Sequence, residues 1–125
     1  MKLGYVIIYV EDVVAATRFY EQAFGLETAF IDDSKMYGEM GTGSTTLSFA
    51  HNSLLKEGTG IEAGQGVKNG FEIAFTTDDV AAVCKTAVDG GAKLLSDPAD
   101  KPWGQTVAYV QDPFGTIISI CTPMG

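Results

Sequence analysis

The chain has 125 residues and a mass of 13.2 kDa, enough for one domain with a closed hydrophobic core. With 46% hydrophobic and 19% charged residues, its composition is that of a globular protein. Eight basic against sixteen acidic residues give a net charge of −8, which repels nucleic-acid phosphates and anionic membrane surfaces and attracts a cationic ligand.

The first expected strand, Gly4–Val10, places Tyr5, Ile7 and Tyr9 on one face and Val6, Ile8 and Val10 on the other. Being apolar on both faces, it is expected to be central and covered on both sides. Asp12 is a natural N-cap for a helix over Val13–Phe24, which carries Ala16, Phe19, Tyr20 and Ala23 on one stripe and stops at Gly25. Short strands follow at Glu27–Ile31, Met36–Met40 and Thr45–Ala50, with turns at Asp32-Asp33-Ser34 and Gly41–Ser44. Residues 52–69 are rich in glycine, show no periodicity and read as a linker. A second strand–helix unit begins with Gly70–Thr76 and continues, after a cap at Asp78 or Asp79, as a helix over Val80–Asp89 stopped by Gly90-Gly91. A short strand at Lys93–Leu95, a loop through Pro98 and Pro102, and a hairpin of Gln105–Val110 with Thr116–Thr122 complete the chain.

The two halves repeat. Val10-Glu11-Asp12-Val13 parallels Thr77-Asp78-Asp79-Val80, and Asp12 and Asp79 stand 67 residues apart. That period is too long for a solenoid. It predicts a single domain over 1–125 built from a βαβββ module at 1–51, the linker at 52–69 and a second module at 70–125. The fold class is α+β, with a mixed sheet and helices on one side.

The single histidine, His51, cannot supply a multi-imidazole metal site within one chain. It reads as a turn residue. Cys84 and Cys121 form no CxxC pair and read as buried apolar residues of a reducing compartment. The apolar run Leu3–Val10 is too short for a signal peptide or a membrane span, so a cytoplasmic location is expected. The acidic pairs Asp32-Asp33 and Asp78-Asp79 are explained as turn and cap residues.

The βαβββ-βαβββ order, the helix motif Phe19-Tyr20-x3-Phe24-Gly25 and the ending Gly104…Asp112-Pro113-x-Gly115 resemble the vicinal oxygen chelate superfamily. That superfamily includes glyoxalase I, ring-cleaving dioxygenases and the fosfomycin and bleomycin resistance proteins. The resemblance implies a cup-shaped sheet with helices outside, and a homodimer with ligand clefts. Its four metal-ligand positions fall on Tyr5, Leu47, Glu72 and Ser119. Leu47 cannot coordinate, and a slip to Thr46 or Ser48 does not rescue the set, so no metal and no cofactor are expected. Tyr5, Tyr9 and Phe49 are expected to point into the cup. Tyr109 is a further candidate, and Trp103 a stacking wall at the cleft mouth. These residues, with Leu47, Glu72 and Ser119, form the expected ligand site.

The function expected on this resemblance is that of a bleomycin-resistance-like protein, an antibiotic-resistance role in which a cationic, partly aromatic small molecule is sequestered without metal. Nucleic acid and membrane are not expected as partners. The alternative is a glyoxalase-like lyase or isomerase with an atypical or absent metal site, in which Glu72 is the catalytic base.

Overall fold

The alternation Val6-Ile8-Val10 gives β1 (Tyr5–Val10) a buried apolar face, and Asp12 then turns the chain into a helix. The Asp12 carboxylate accepts the Ala15 N–H at 3.0 Å and starts α1 (Val13–Phe24). Gly25 ends the helix in the left-handed region at φ 66°, and its N–H returns to the Glu21 carbonyl. β2 (Glu27–Ile31), β3 (Tyr37–Gly41) and β4 (Thr46–His51) follow, then α2 (Asn52–Thr59). The second half holds β5 (Ile73–Thr76), α3 (Val80–Asp89), β6 (Lys93–Asp100), β7 (Thr106–Gln111) and β8 (Ile117–Cys121). This computed structural model describes residues 1–62 and 71–124. The rest of the expected linker, 63–69, and the expected strand start at Gly70 lie outside the described residues.

The chain divides into two units, Met1–Gln65 and Gly66–Gly125. In the first, a mixed sheet has the strand order β1-β4-β3-β2, with β1 parallel to β4 and the other pairs antiparallel. In the second, the order is β5-β8-β7-β6 with the same pattern of directions. Two four-stranded mixed sheets with three helices are the expected α+β class.

Each unit has its own core. In the first, Tyr20 of α1 packs on Phe49 of β4 with ring centroids 4.8 Å apart, among Ile8, Val13, Phe19 and Met40. Gly38 of β3 lies close under α1, where an added Cβ would stand 3.3 Å from both Thr17 Cγ2 and Val13 Cγ1. In the second, Val80, Cys84 and Ala87 of α3 are buried, and the helix packs on β7, β6 and β8. Asp79 supplies the cap, accepting the Ala82 N–H at 3.1 Å, so the cap geometry of the first unit recurs. The buried Asp112 organises the final hairpin. Its Oδ1 accepts the N–H groups of Phe114 and Thr116 at 2.9 and 2.8 Å, and Gly115 turns at φ 95°.

Three local expectations need correction. β1 is an edge strand and not a central one, and Tyr5 and Ile7 on its second face are 58% and 45% exposed. Residues 52–59 form a helix where an irregular linker was expected. His51 caps it, with Nδ1 accepting the Ser53 N–H at 3.2 Å, and Gly60 closes it at φ 77°. α2 buries no residue, so it carries no apolar stripe to read. β6 runs through Pro98 to Asp100, past the expected end at Leu95. It is the edge of its sheet, and register shifts between Leu94 and Ser96 and between Ser96 and Ala99 take Asp97 and Pro98 out of the ladder, where a missing N–H costs nothing.

Candidate functional site

Strand parity decides what each face of the first sheet presents. The pairs Val6↔Leu47 and Ile8↔Phe49 lie towards α1. The pairs Tyr5↔Thr46 and Ile7↔Ser48 lie on the opposite face, which Glu39 joins through Glu39↔Ser48. Tyr37 shares the parity of Glu39, and Phe30 pairs with Glu39 and meets the Tyr37 ring at 6.5 Å. The face away from α1 therefore carries Tyr5, Ile7, Tyr9, Phe30 and Tyr37 around the Glu39 carboxylate, with Glu27 further along the same face through Glu27↔Gly41.

The Glu39 carboxylate is held. The Tyr37 hydroxyl lies 2.7 Å from Glu39 Oε2 and 2.9 Å from Ser48 Oγ. Ser48 is fully buried, while Tyr37 and Glu39 are half-buried. Burial pushes the Tyr37 phenol above its usual range. A hydrogen bond with Ser48 opposes this, and the Glu39 carboxylate and the neighbouring Tyr5 add to it. The phenol is therefore neutral at pH 7 and acts as a donor to the carboxylate.

The second unit repeats the position without repeating the chemistry. Ala74↔Ser119 and Tyr109↔Ser119 occupy the places of Ile7↔Ser48 and Glu39↔Ser48. Ser119 is buried and Tyr109 half-buried, on one face of their sheet. Glu72 is exposed and precedes β5, at the place Tyr5 has in the first unit.

Of the expected site residues, Tyr5 and Tyr9 share the face of Glu39, and Ser119 and Tyr109 share a face in the second unit. Leu47 and Phe49 do not belong to the site: both are buried towards α1, and Phe49 touches Tyr20. The residue that corresponds to Ser119 is Ser48, one place along the strand from Leu47. The alternation Thr46-Leu47-Ser48-Phe49 already separates polar from apolar faces, so the period of two was the signal that placed Leu47 and Phe49 inside. The same alternation in Tyr37-Gly38-Glu39 would have brought out Tyr37 and Glu39, which sequence reasoning missed. Trp103 lies on the turn between β6 and β7, 57% exposed. Its Nε1–H donates to Gln105 Oε1 at 2.8 Å, and Gln105 in turn donates to the Thr122 carbonyl. His51 is occupied as the cap of α2.

The donors at the corresponding metal positions are a phenol, two hydroxyls and one carboxylate, from Tyr5, Ser48, Ser119 and Glu72. They do not fit the imidazole- and carboxylate-rich spheres that zinc, nickel or iron(II) take, and Ser48 is already engaged by Tyr37. Among the described residues, no group of three or more His, Cys, Asp or Glu is placed to hold a metal ion. A groove of about 290 Å³ between α3 and β6, lined by Cys84, Lys85, Val88, Leu94, Asp97 and Pro98 among others, contains none of the expected site residues. Burial, and then Asp97, push the Cys84 thiol there up, away from the reactive thiolate. Among the described residues no helix is long and apolar enough to cross a membrane.

Comparison with known proteins gives a consistent picture. A glyoxalase-related enzyme from Fulvimarina pelagi superposes with a TM-score of 0.88 at 22% identity, covering 98% of this chain and 88% of that one. A glyoxalase/bleomycin resistance protein/dioxygenase family enzyme from Burkholderia phytofirmans PsJN superposes with a TM-score of 0.79 at 23% identity, covering 98% of both chains. CFP32 of Mycobacterium bovis, provisionally named a glyoxylase, is 34% identical over 58 residues, which is 46% of this chain. The match spans only 22% of the length of that curated relative. A family model described as Glyoxalase/Bleomycin resistance protein/Dioxygenase superfamily matches residues 2–120. Nearly the whole chain is matched and each half carries the βαβββ order, so the protein belongs to the glyoxalase/bleomycin resistance protein/dioxygenase superfamily.

Proposed function

We propose that this protein binds and sequesters a small cationic, partly aromatic molecule, in the manner of a bleomycin resistance protein, with no metal and no covalent step. One observation carries the reading: the Glu39 carboxylate is held by Tyr37 on a sheet face that presents Tyr5, Tyr9 and Phe30. Aromatic faces attract cations through their quadrupoles, and a half-buried carboxylate supplies a charge that water screens only in part. The net charge of −8 adds a long-range field of the same sign. The exposed Tyr5 and Ile7 of β1 also suit a homodimer in which a second copy closes a cleft over the ligand.

A second reading, a glyoxalase-like lyase working through Glu72, draws on the 58-residue likeness to CFP32. The two separate in one set of titrations. Bleomycin and simple aryl amines, added to the full chain in a calorimeter, are expected to bind stoichiometrically and remain chemically unchanged. Glu72→Gln leaves this binding intact on the first reading and abolishes turnover on the second. No heat with any basic aromatic compound overturns sequestration.

A further inference from the structure

Counting protons fixes the direction of the hydrogen bonds on the first sheet. An ionised carboxylate only accepts, and a phenol has a single hydrogen. The Tyr37 hydrogen therefore goes to Glu39 Oε2 at 2.7 Å. The contact with Ser48 at 2.9 Å then has the serine hydroxyl as donor and the phenol oxygen as acceptor. The chain runs from Ser48 through Tyr37 to Glu39, and both hydroxyl hydrogens are used inside it. Ser48 is fully buried beneath the face, so its hydroxyl is not turned outward. No second partner holds Glu39 among the described residues, which leaves the lone pairs of Oε1 to a ligand.

The geometry points to a ligand contact at Glu39 Oε1 that accepts a hydrogen bond, selecting a protonated amine or amidine that carries N–H over a quaternary ammonium ion, while the carboxylate repels an anionic ligand. The inference rests on the sequestration reading and narrows it. A cation recognised only by the aromatic faces would bind with or without N–H groups. A cation recognised by Glu39 needs the N–H, because a charge-assisted hydrogen bond is directional and about twice as strong as a neutral one. Tyr37 is a positioning residue here: it donates to Oε2 and so fixes which carboxylate oxygen is left.

The test is calorimetry on the full chain with tryptamine, its N,N,N-trimethyl analogue and indole-3-acetate. Wild-type protein is expected to bind tryptamine about tenfold or more tightly than the trimethyl compound, and to give no heat with the acetate. Glu39→Gln is half-exposed and nearly isosteric, and circular dichroism checks its fold. It is expected to weaken tryptamine by a similar factor and leave the trimethyl compound little changed. Equal or tighter binding of the trimethyl compound to wild type, or binding of the acetate, overturns this inference while sequestration stands. Binding of neither cation refutes the underlying reading and this inference with it.

Discussion

Phe49 separates the core from the site most sharply. It is fully buried, with its ring 4.8 Å from that of Tyr20, on the sheet face opposite Glu39. Removing such a ring forfeits about 150–250 Å² of burial at roughly 25 cal/mol per Å², an upper bound near 4–6 kcal/mol. Measured Phe→Ala changes in cores cost about 3–5 kcal/mol, a large share of the total stability of a small domain. At roughly 4 °C per kcal/mol, Phe49→Ala should lower Tm by about 12–20 °C. Phe49→Leu, which keeps most of the volume, should cost about a third of that and leave ligand affinity unchanged. Phe30→Ala is the contrast: Phe30 is 48% exposed and beside Glu39, so the change should cost under about 1 kcal/mol and weaken an aryl amine. Thermal melts and calorimetry on the three variants provide the readout. A Phe49→Ala protein that melts within about 2 °C of wild type but loses ligand would refute the assignment of faces.

The capping carboxylates recur in the two units, so Asp12→Ala and Asp79→Ala should each cost about 1 kcal/mol by chemical denaturation. A loss at one site alone would show that the caps are not equivalent. Gly38→Ala pushes a Cβ against Thr17 and Val13 and should cost about 1–3 kcal/mol, whereas Gly4→Ala, with nothing within 4 Å, should be neutral. Tyr37 contributes to the alkaline limb of stability. Its pKa is raised in the fold by burial and then by Glu39, so the folded state holds the proton more tightly than the unfolded one. The contribution is fully present below the usual tyrosine value of 10.0 and is lost as pH rises through the folded value. Denaturation between about pH 8 and pH 11 should show an extra loss in wild type that Tyr37→Phe lacks, and a gain instead would reverse the sign of the account.

Local punctuation carried most of the fold. Asp12, Gly25 and Asp79 bound helices at the places their chemistry predicts, and Val13–Phe24, Glu27–Ile31 and Val80–Asp89 match residue for residue. α2 was not legible because its eight residues bury nothing and its cap is a histidine. β6 was cut short because Pro98 reads as a breaker, while an edge strand with register shifts tolerates it. The alternation of β1 made the shared face of Tyr5 and Tyr9 legible, and that of β7 and β8 would have put Tyr109 and Ser119 on one face of the second sheet. Leu47 and Phe49 were misplaced because the positions of a related family were set above the alternation of the strand itself. Glu39 and Tyr37 had no motif to mark them. Their pairing arises from strand register, which joins β3 to β4 so that Glu39 faces Ser48.

Backbone amide shifts in ¹⁵N-labelled protein titrated with tryptamine test the central claim most directly. The account predicts the largest saturable shifts at Tyr37, Glu39, Ser48 and Tyr5, with about tenfold more tryptamine needed to saturate them in Glu39→Gln. Shifts centred on Leu94 and Asp97 in the α3–β6 groove, or on the α1 side of the first sheet, would contradict it.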